Sequence, residues 1–164
     1  MEYSSTFENM ESLQPQILKV WRLKTGLWLT VFFVAALVFD ILNLFDAEKS
    51  VPFGLIPFIV LAAGLPLTFW LTKLRFRHWS YALLPDELVL KRGVFNRVST
   101  IVPLRRIQHL DVSQDIFERE YELGKLIVHT AGTRSSSVIL PGLALGEAER
   151  LRDEMKKVIT DEAL

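Results

Sequence analysis

Few residues in this sequence have the type and spacing to do chemistry. His109 and His129 fall in segments of strand-like texture, with Asp111 two positions after the first. On neighbouring strands the two imidazoles and the carboxylate could meet and coordinate a metal. No short ligand spacing supports this, and His78 stands apart, so packing or surface roles are the expectation. Ser135, Ser136 and Ser137 follow Arg134 in a polar run that reads as a solvated hairpin loop rather than a nucleophile. Glu118, Glu120 and Glu122 alternate around Arg119, which reads as a solvated face and not as a pair of acid–base carboxylates. There is no Gly-rich phosphate loop and no G-x-S-x-G elbow. The chain has no cysteine, hence no disulfide framework, thiolate nucleophile or cysteine metal site, which fits a cytosolic soluble part. Nothing demands an enzyme, and neither cofactor nor metal is expected.

The stronger signal is basic. The formal net charge is zero, which argues against a general nucleic-acid binder. That zero hides an asymmetry. Lys73 to Arg106 carries eight basic and two acidic residues, a balance of +6, whereas Ile107 to Leu164 carries seven and eleven, a balance of −4. The candidates for lipid or partner binding are Arg75, Arg77, Lys91, Arg92, Arg97, Arg105 and Arg106, because guanidinium groups grip phosphate bidentately. For Arg105 and Arg106, which follow Pro103-Leu104, the first expectation is structural. Ion pairs to Asp111, Glu118 or Glu122 would pin a strand to a short helix. The sharper expectation is contact with anionic headgroups or an acidic partner.

These cations must be positioned by something, and the preceding segment says where. "GLWLTVFFVAALVFDILNLF" (26–45) holds one charge, Asp40, and "FGLIPFIVLAAGLPLTFWLT" (53–72) holds none. Each is about 20 residues, enough to cross roughly 30 Å of hydrocarbon. A cleaved signal peptide does not fit, since the first run is long, starts late and lacks a small-residue cleavage site. Two uninterrupted apolar runs also fit poorly with a soluble core hairpin. Lys19, Arg22 and Lys24 precede the pair, Lys73, Arg75 and Arg77 follow it, and the connector offers only Lys49 beside Asp46 and Glu48. The positive-inside rule places both termini in the cytoplasm. Trp21, Trp28, Trp70 and Trp79 read as an aromatic belt, and Pro57 and Pro66 each remove a helix donor. Asp40 and Asn43 sit near the outer interface, where water or a neighbouring helix can satisfy them; transport chemistry is not expected. Residues 1–25 read as a mobile polar stretch followed by an amphipathic lead-in.

From Phe76 the texture becomes that of short strands. "RHWSYALLPDELVLKRGVF" has two runs around Pro85-Asp86-Glu87, Gly93 begins another turn, and "RVSTIV" is a third strand that Pro103 should end or hold at an edge. "IQHLDVSQ" alternates, and "DIFEREYELG" reads as a short helix from Asp115 with Gly124 as its stop. "KLIVHTA" and "SSVILPG" are two more strands around "GTRSS". "LGEAERLRDEMKKVI" closes the chain as an amphipathic helix with Leu151, Met155, Val158 and Ile159 inward.

"VPLRRIQHLDVSQDIFEREYELGKLIVHTAG" resembles the signature of the bacterial pleckstrin-homology-like, membrane-flanked domain family. Pro103, Leu104, Ile107, Gln108, Val112, Gln114, Leu123, Gly124, Thr130, Ala131 and Gly132 stand at the matching places. The resemblance implies a membrane α-helical hairpin followed by a mainly-β PH-like barrel, a bent antiparallel sheet of about seven strands with a C-terminal helix, over 73–164. It also implies a longer relative carrying several such domains. The expected function is a non-enzymatic protein of the bacterial inner (plasma) membrane. It would present an interaction domain at the cytoplasmic face, bound to like domains as a homo-oligomer or to the longer relative. A role in resisting or handling membrane-active peptides is suggested by the family alone. The lipid bilayer is an expected partner and nucleic acid is not. The alternatives are an anionic-lipid headgroup sensor, a lipid-handling accessory or an accessory subunit of a transporter.

Overall fold

The computed structural model describes residues 10–44, 51–131 and 137–161. Two apolar helices come first, α1 (Ile17–Leu42) and α2 (Leu55–Arg77). At 1.5 Å per residue they are about 39 and 35 Å long. Much of their outer surface is large and apolar: Trp28, Phe32, Phe39, Phe58 and Trp70 are all more than half exposed. A surface of that kind is unfavourable in water and ordinary in lipid. α1 starts at Ile17, so the lead-in is the first part of the same helix.

Residues 18–73 form one compact unit and residues 1–17 with 74–164 another. Within the first, a Cβ at Gly64 would collide with Leu29 Cδ1, so the missing side chain is what lets α1 and α2 approach. The Arg22 guanidinium lies 4.8 Å from the centre of the Phe69 ring, a cation–π contact. Asp40 is fully buried, and its Oδ2 accepts the Gly54 N–H at 2.6 Å. A neighbouring helix therefore satisfies this carboxylate, at the turn that opens α2, where the Gly54 carbonyl accepts from Phe58. Pro57 falls in the first turn of α2, where its missing N–H removes no helix bond; Pro66 lies inside. Trp21 and Trp79 are buried in protein, leaving Trp28 exposed with Trp70, so two of the four tryptophans are not a lipid-facing belt.

Among the described residues, the second unit has seven strands in two antiparallel sheets. The first contains β1 (Glu11–Ser12), β2 (Ser80–Leu83), β3 (Glu87–Arg92) and β4 (Val98–Pro103), in that order. After a 3-10 turn at Leu104–Arg106 come β5 (Ile107–Ser113), the short helix α3 (Ile116–Glu120), β6 (Leu123–Thr130) and β7 (Ser137–Ala144). β5, β6 and β7 make the second sheet, and α4 (Leu145–Asp161) packs against all three. Buried side chains from both sheets and α4 form the core, among them Leu88, Leu90, Val102, Leu126, Leu140, Ala148, Leu151 and Met155. Val158 and Ile159, expected inward, are only half-buried. β7 is an edge strand, and it takes Pro141 and Gly142 at a register shift opposite Lys125, where a bulge needs no ladder donor.

Three expectations need correction. The seventh strand comes from the polar N-terminus: Glu11 and Ser12 pair with Tyr81 and Ser80. The following residues are then tied down, with Leu13 and Ile17 buried and the Gln14 N–H donating to the Gly142 carbonyl at 2.8 Å. Gly142 has φ +67, and a Cβ there would press on Ile17 Cγ1 at 2.8 Å. Glu118 is not solvated but 3 % exposed. It closes a capping box with Asp115, whose Oδ1 accepts the Phe117 and Glu118 N–H groups. Lys125 Nζ lies 3.6 Å from it. Finally, α3 is ended by Glu122 in a left-handed conformation, φ 52, and Gly124 is already inside β6. The proposed "GTRSS" turn and the 45–50 part of the helix connector lie outside the described residues.

Candidate functional site

α2 ends in a cluster of bonds that turns the chain into the sheet. His78 Nδ1–H donates to the Leu74 carbonyl at 2.8 Å, and the His78 and Trp79 N–H groups reach Arg75 and Phe76 at 3.2 Å. Arg75 and Arg77 lie in that last turn, where cations oppose the negative end of the helix dipole. One residue past the buried Trp79, β2 begins. Ser80 pairs with Lys91, Lys91 with Ser99, and Arg92 with Val98. Three adjacent strands thus set Ser80, Lys91 and Ser99 side by side, with the turn 93–97 above them. Gly93 makes that turn possible: its φ is +108, and a Cβ there would collide with the Asn96 carbonyl oxygen.

The result is an open cleft of about 350 Å³ lined by Arg77, His78, Ser80, Lys91, Arg92 and Arg97, with Gly93, Val98 and Ser99. Four cations and two hydroxyl-bearing residues line it, and none of the described lining residues is acidic. Arg77, Arg92 and Arg97 are exposed, so their charges are available to a ligand rather than sunk in the core. The arrangement suits a phosphate or carboxylate held by forked guanidinium donors.

Four of the seven cations singled out in the sequence therefore converge. Arg75 shares the last turn of α2 but does not line the cleft. Arg105 and Arg106 are at the opposite end of the β3–β4 ladder. Arg92 faces Val98 at one end and Glu87 faces Pro103 at the other. At about 3.4 Å per residue the two ends are about 17 Å apart. Both arginines are exposed, and among the described residues neither forms an ion pair. Two of the three acids expected to hold them are engaged elsewhere: Glu118 in its capping box, Asp111 on two histidines. Ser80, Ser99 and His78 were not legible as cleft residues, because strand register brings them together and no local motif marks it.

The histidines do meet. His109 and His129 are cross-strand partners on β5 and β6, with ring centres 5.9 Å apart. Asp111 Oδ1 lies 2.8 Å from His109 Nε2, and Oδ2 lies 3.2 Å from His129 Nε2. The carboxylate thus contacts both rings, one oxygen to each. Among the described residues, no group of three His, Cys, Asp or Glu side chains is arranged to hold a metal ion. Ser137, at the start of β7, pairs with His129, while Ser135 and Ser136 lie outside the described residues.

Comparison with known proteins agrees with this architecture. The chain is 29 % identical to the UPF0699 transmembrane protein YdbS of Bacillus subtilis (strain 168) over 152 residues, 92 % of this chain and 94 % of that protein. It is 26 % identical over 95 residues to the UPF0699 transmembrane protein YdbT of the same organism, which takes in 56 % of this chain but only 19 % of that protein. No solved structure matches it. With its two apolar helices and a relative of matching length named as transmembrane, this is a membrane protein carrying a PH-like domain. The sequence pattern described as "Bacterial PH domain" matches residues 27–159, helices included, and the chain belongs to that family.

Proposed function

We propose that this chain is a non-enzymatic protein of the bacterial plasma membrane whose PH-like domain works by docking onto other protein. α1 and α2 cross the bilayer as a hairpin with both termini in the cytoplasm, as the basic residues flanking the pair favour. The partners are further copies of the chain or a longer relative. YdbT is of that kind, since the matched segment is a small part of its length.

The open edge of the first sheet carries this reading. β4 is the last strand of its sheet, hydrogen-bonded to β3 alone among the described residues, with Val98 39 % and Ile101 43 % exposed. An unprotected edge with apolar side chains is a template for a strand from another chain. The side chains with catalytic potential are occupied in structural contacts: Asp111 between histidines, Glu118 in a helix cap, Tyr81 against two carboxylates. Native mass spectrometry of the full chain extracted gently from its own membranes is the test. Retained copies or a retained longer relative, lost on Ile101→Lys, support docking at this edge. A single chain in both the parent and the variant removes it.

The cleft favours a second reading, contact with anionic lipid headgroups, since four cations line it without an acidic residue. Each basic residue near an anionic surface contributes about 1 kcal/mol. Lipids retained by the full chain should be enriched in anionic species, and Arg92→Gln with Arg97→Gln should abolish that enrichment. Equal lipid composition in parent and variant would exclude it.

A further inference from the structure

We propose that the turn joining β3 to β4 is a membrane wedge: Phe95 enters the interfacial layer of the bilayer while Arg92 and Arg97 bind lipid phosphates beside it. The proposal rests on the lipid reading of the cleft and deepens it by naming the inserted residue.

Phe95 is 88 % exposed, more than any other large apolar residue described, those of the two apolar helices included. It is the middle residue of the 93–97 turn, whose shape is set by backbone, because Gly93 and the Asn96 carbonyl approach too closely for any side chain at 93. Its immediate neighbours are Val94, half-buried, and Asn96, and the charged residues nearest it in sequence are basic. Arg92 ends β3 and Arg97 precedes β4, and both line the cleft. One phenyl ring among cations is too small for a protein interface, which needs several hundred Å² per partner. It is the composition of a segment that lies in an anionic interface, with an apolar group below the headgroups and cations level with them.

The chain path supplies the bilayer. Arg77, in the last turn of α2, lines the same cleft as Arg92 and Arg97. Ser80, the first residue of β2 and the third after Arg77 in the chain, lines that cleft too, so this is the end of the sheet that follows the apolar segment in sequence. Ile116, almost as exposed at 86 %, opens α3, and no residue of α3 lines that cleft.

The chain has no cysteine, so a single introduced cysteine carries a unique spin label. The full chain bearing Asn96→Cys, which keeps Phe95, is placed in nanodiscs of neutral or of anionic lipid. Collisions with lipid-soluble oxygen are compared with those of a water-soluble nickel chelate. A label at Ile116→Cys is the aqueous reference. In anionic nanodiscs the Asn96→Cys label should favour oxygen several-fold over the reference. Phe95→Ser in the same background should return it to the reference value, and so should Arg92→Gln with Arg97→Gln. A label at 96 as accessible to nickel as the one at 116, in both lipids, overturns the wedge. If retained anionic lipid still depends on Arg92 and Arg97 in that case, the wedge alone has failed and the headgroup reading stands. A label at 96 shielded from both reagents also overturns it, since protein then covers the turn.

Discussion

The two ends of the β3–β4 ladder both carry exposed arginines and do different work. At the Arg92–Val98 end, cations gather around a cleft and an aromatic ring projects beyond them. At the Glu87–Pro103 end, the backbone makes the bonds. The Leu104 N–H donates to the Asp86 carbonyl at 2.9 Å, Ile107 N–H to the Leu104 carbonyl, and Ala131 N–H to the Arg106 carbonyl at 3.0 Å. The Leu104 side chain is 1 % exposed while Arg105 and Arg106 point to solvent. One basic stretch is thus divided by folding into a surface that can bind and a corner that joins two sheets. Cation density along a sequence locates neither; strand register decides which cations meet.

The largest effect that tests this division is at the corner. Leu104→Ala should destabilise the full chain by about 2–5 kcal/mol through the cavity it leaves, read as a lowered Tm. Its retained lipids should be unchanged at temperatures where it is folded. Loss of lipid preference in the folded variant would break the separation of the two ends. Next comes the cleft. Arg77→Gln, Arg92→Gln and Arg97→Gln together should weaken attraction to an anionic surface by about 3 kcal/mol, at about 1 kcal/mol each, with little change in Tm. A large fall in Tm would instead make these arginines structural.

Much of the architecture was legible because its signals are local. Two apolar runs define α1 and α2, and Pro85-Asp86-Glu87, Gly93 and Pro103 punctuate the first strands. Asp115 with Glu118 three positions on is a capping box visible in the sequence, yet the same Glu118 reads as a solvated face until its burial is seen. What was not legible is long-range. β1 is two residues, too short for any periodicity. Its function depends on Tyr81, whose hydroxyl lies 2.8 Å from Glu11 Oε2 and 2.6 Å from Glu147 Oε1, partners 70 and 66 positions away. Arg105 and Arg106 belong to the same basic stretch of sequence as the cleft cations, but a six-residue strand carries them to the other end.

Tyr81 gives a smaller, pH-dependent test of the N-terminal tie. Burial, then hydrogen bonds to Glu147 and Glu11, raise its pKa above the ordinary 10.0. A raised pKa means that the folded state holds the proton which the unfolded chain releases. The associated stability is intact below pH 10 and declines as pH rises beyond it. Thermal melts above pH 10 should show this decline, and Tyr81→Phe should flatten it. An equal slope in both would place the alkaline sensitivity elsewhere. Asp115→Ala follows, with an expected cost of about 1 kcal/mol for the lost cap. It also uncovers the buried Glu118, so Asp115→Asn, which keeps an acceptor oxygen, should recover most of the Tm.

The smallest expected effect is the sharpest for the comparison. Arg105 and Arg106 are exposed and form no ion pair among the described residues, and the bond to Ala131 at this corner uses the Arg106 backbone carbonyl, which any residue supplies. Arg105→Gln with Arg106→Gln should therefore change stability by no more than about 0.5 kcal/mol, as for other exposed substitutions. It removes two positive charges, nearly as many as the cleft variant. If net charge alone governed attraction to the membrane, the two variants would lose anionic lipid in proportion to the charges removed. If geometry governs it, the variant at the corner keeps the lipid and the variant at the cleft does not. Comparing their retained lipids separates a diffuse basic surface from a site, because the proteins differ little in charge and mainly in which end of one ladder lost it.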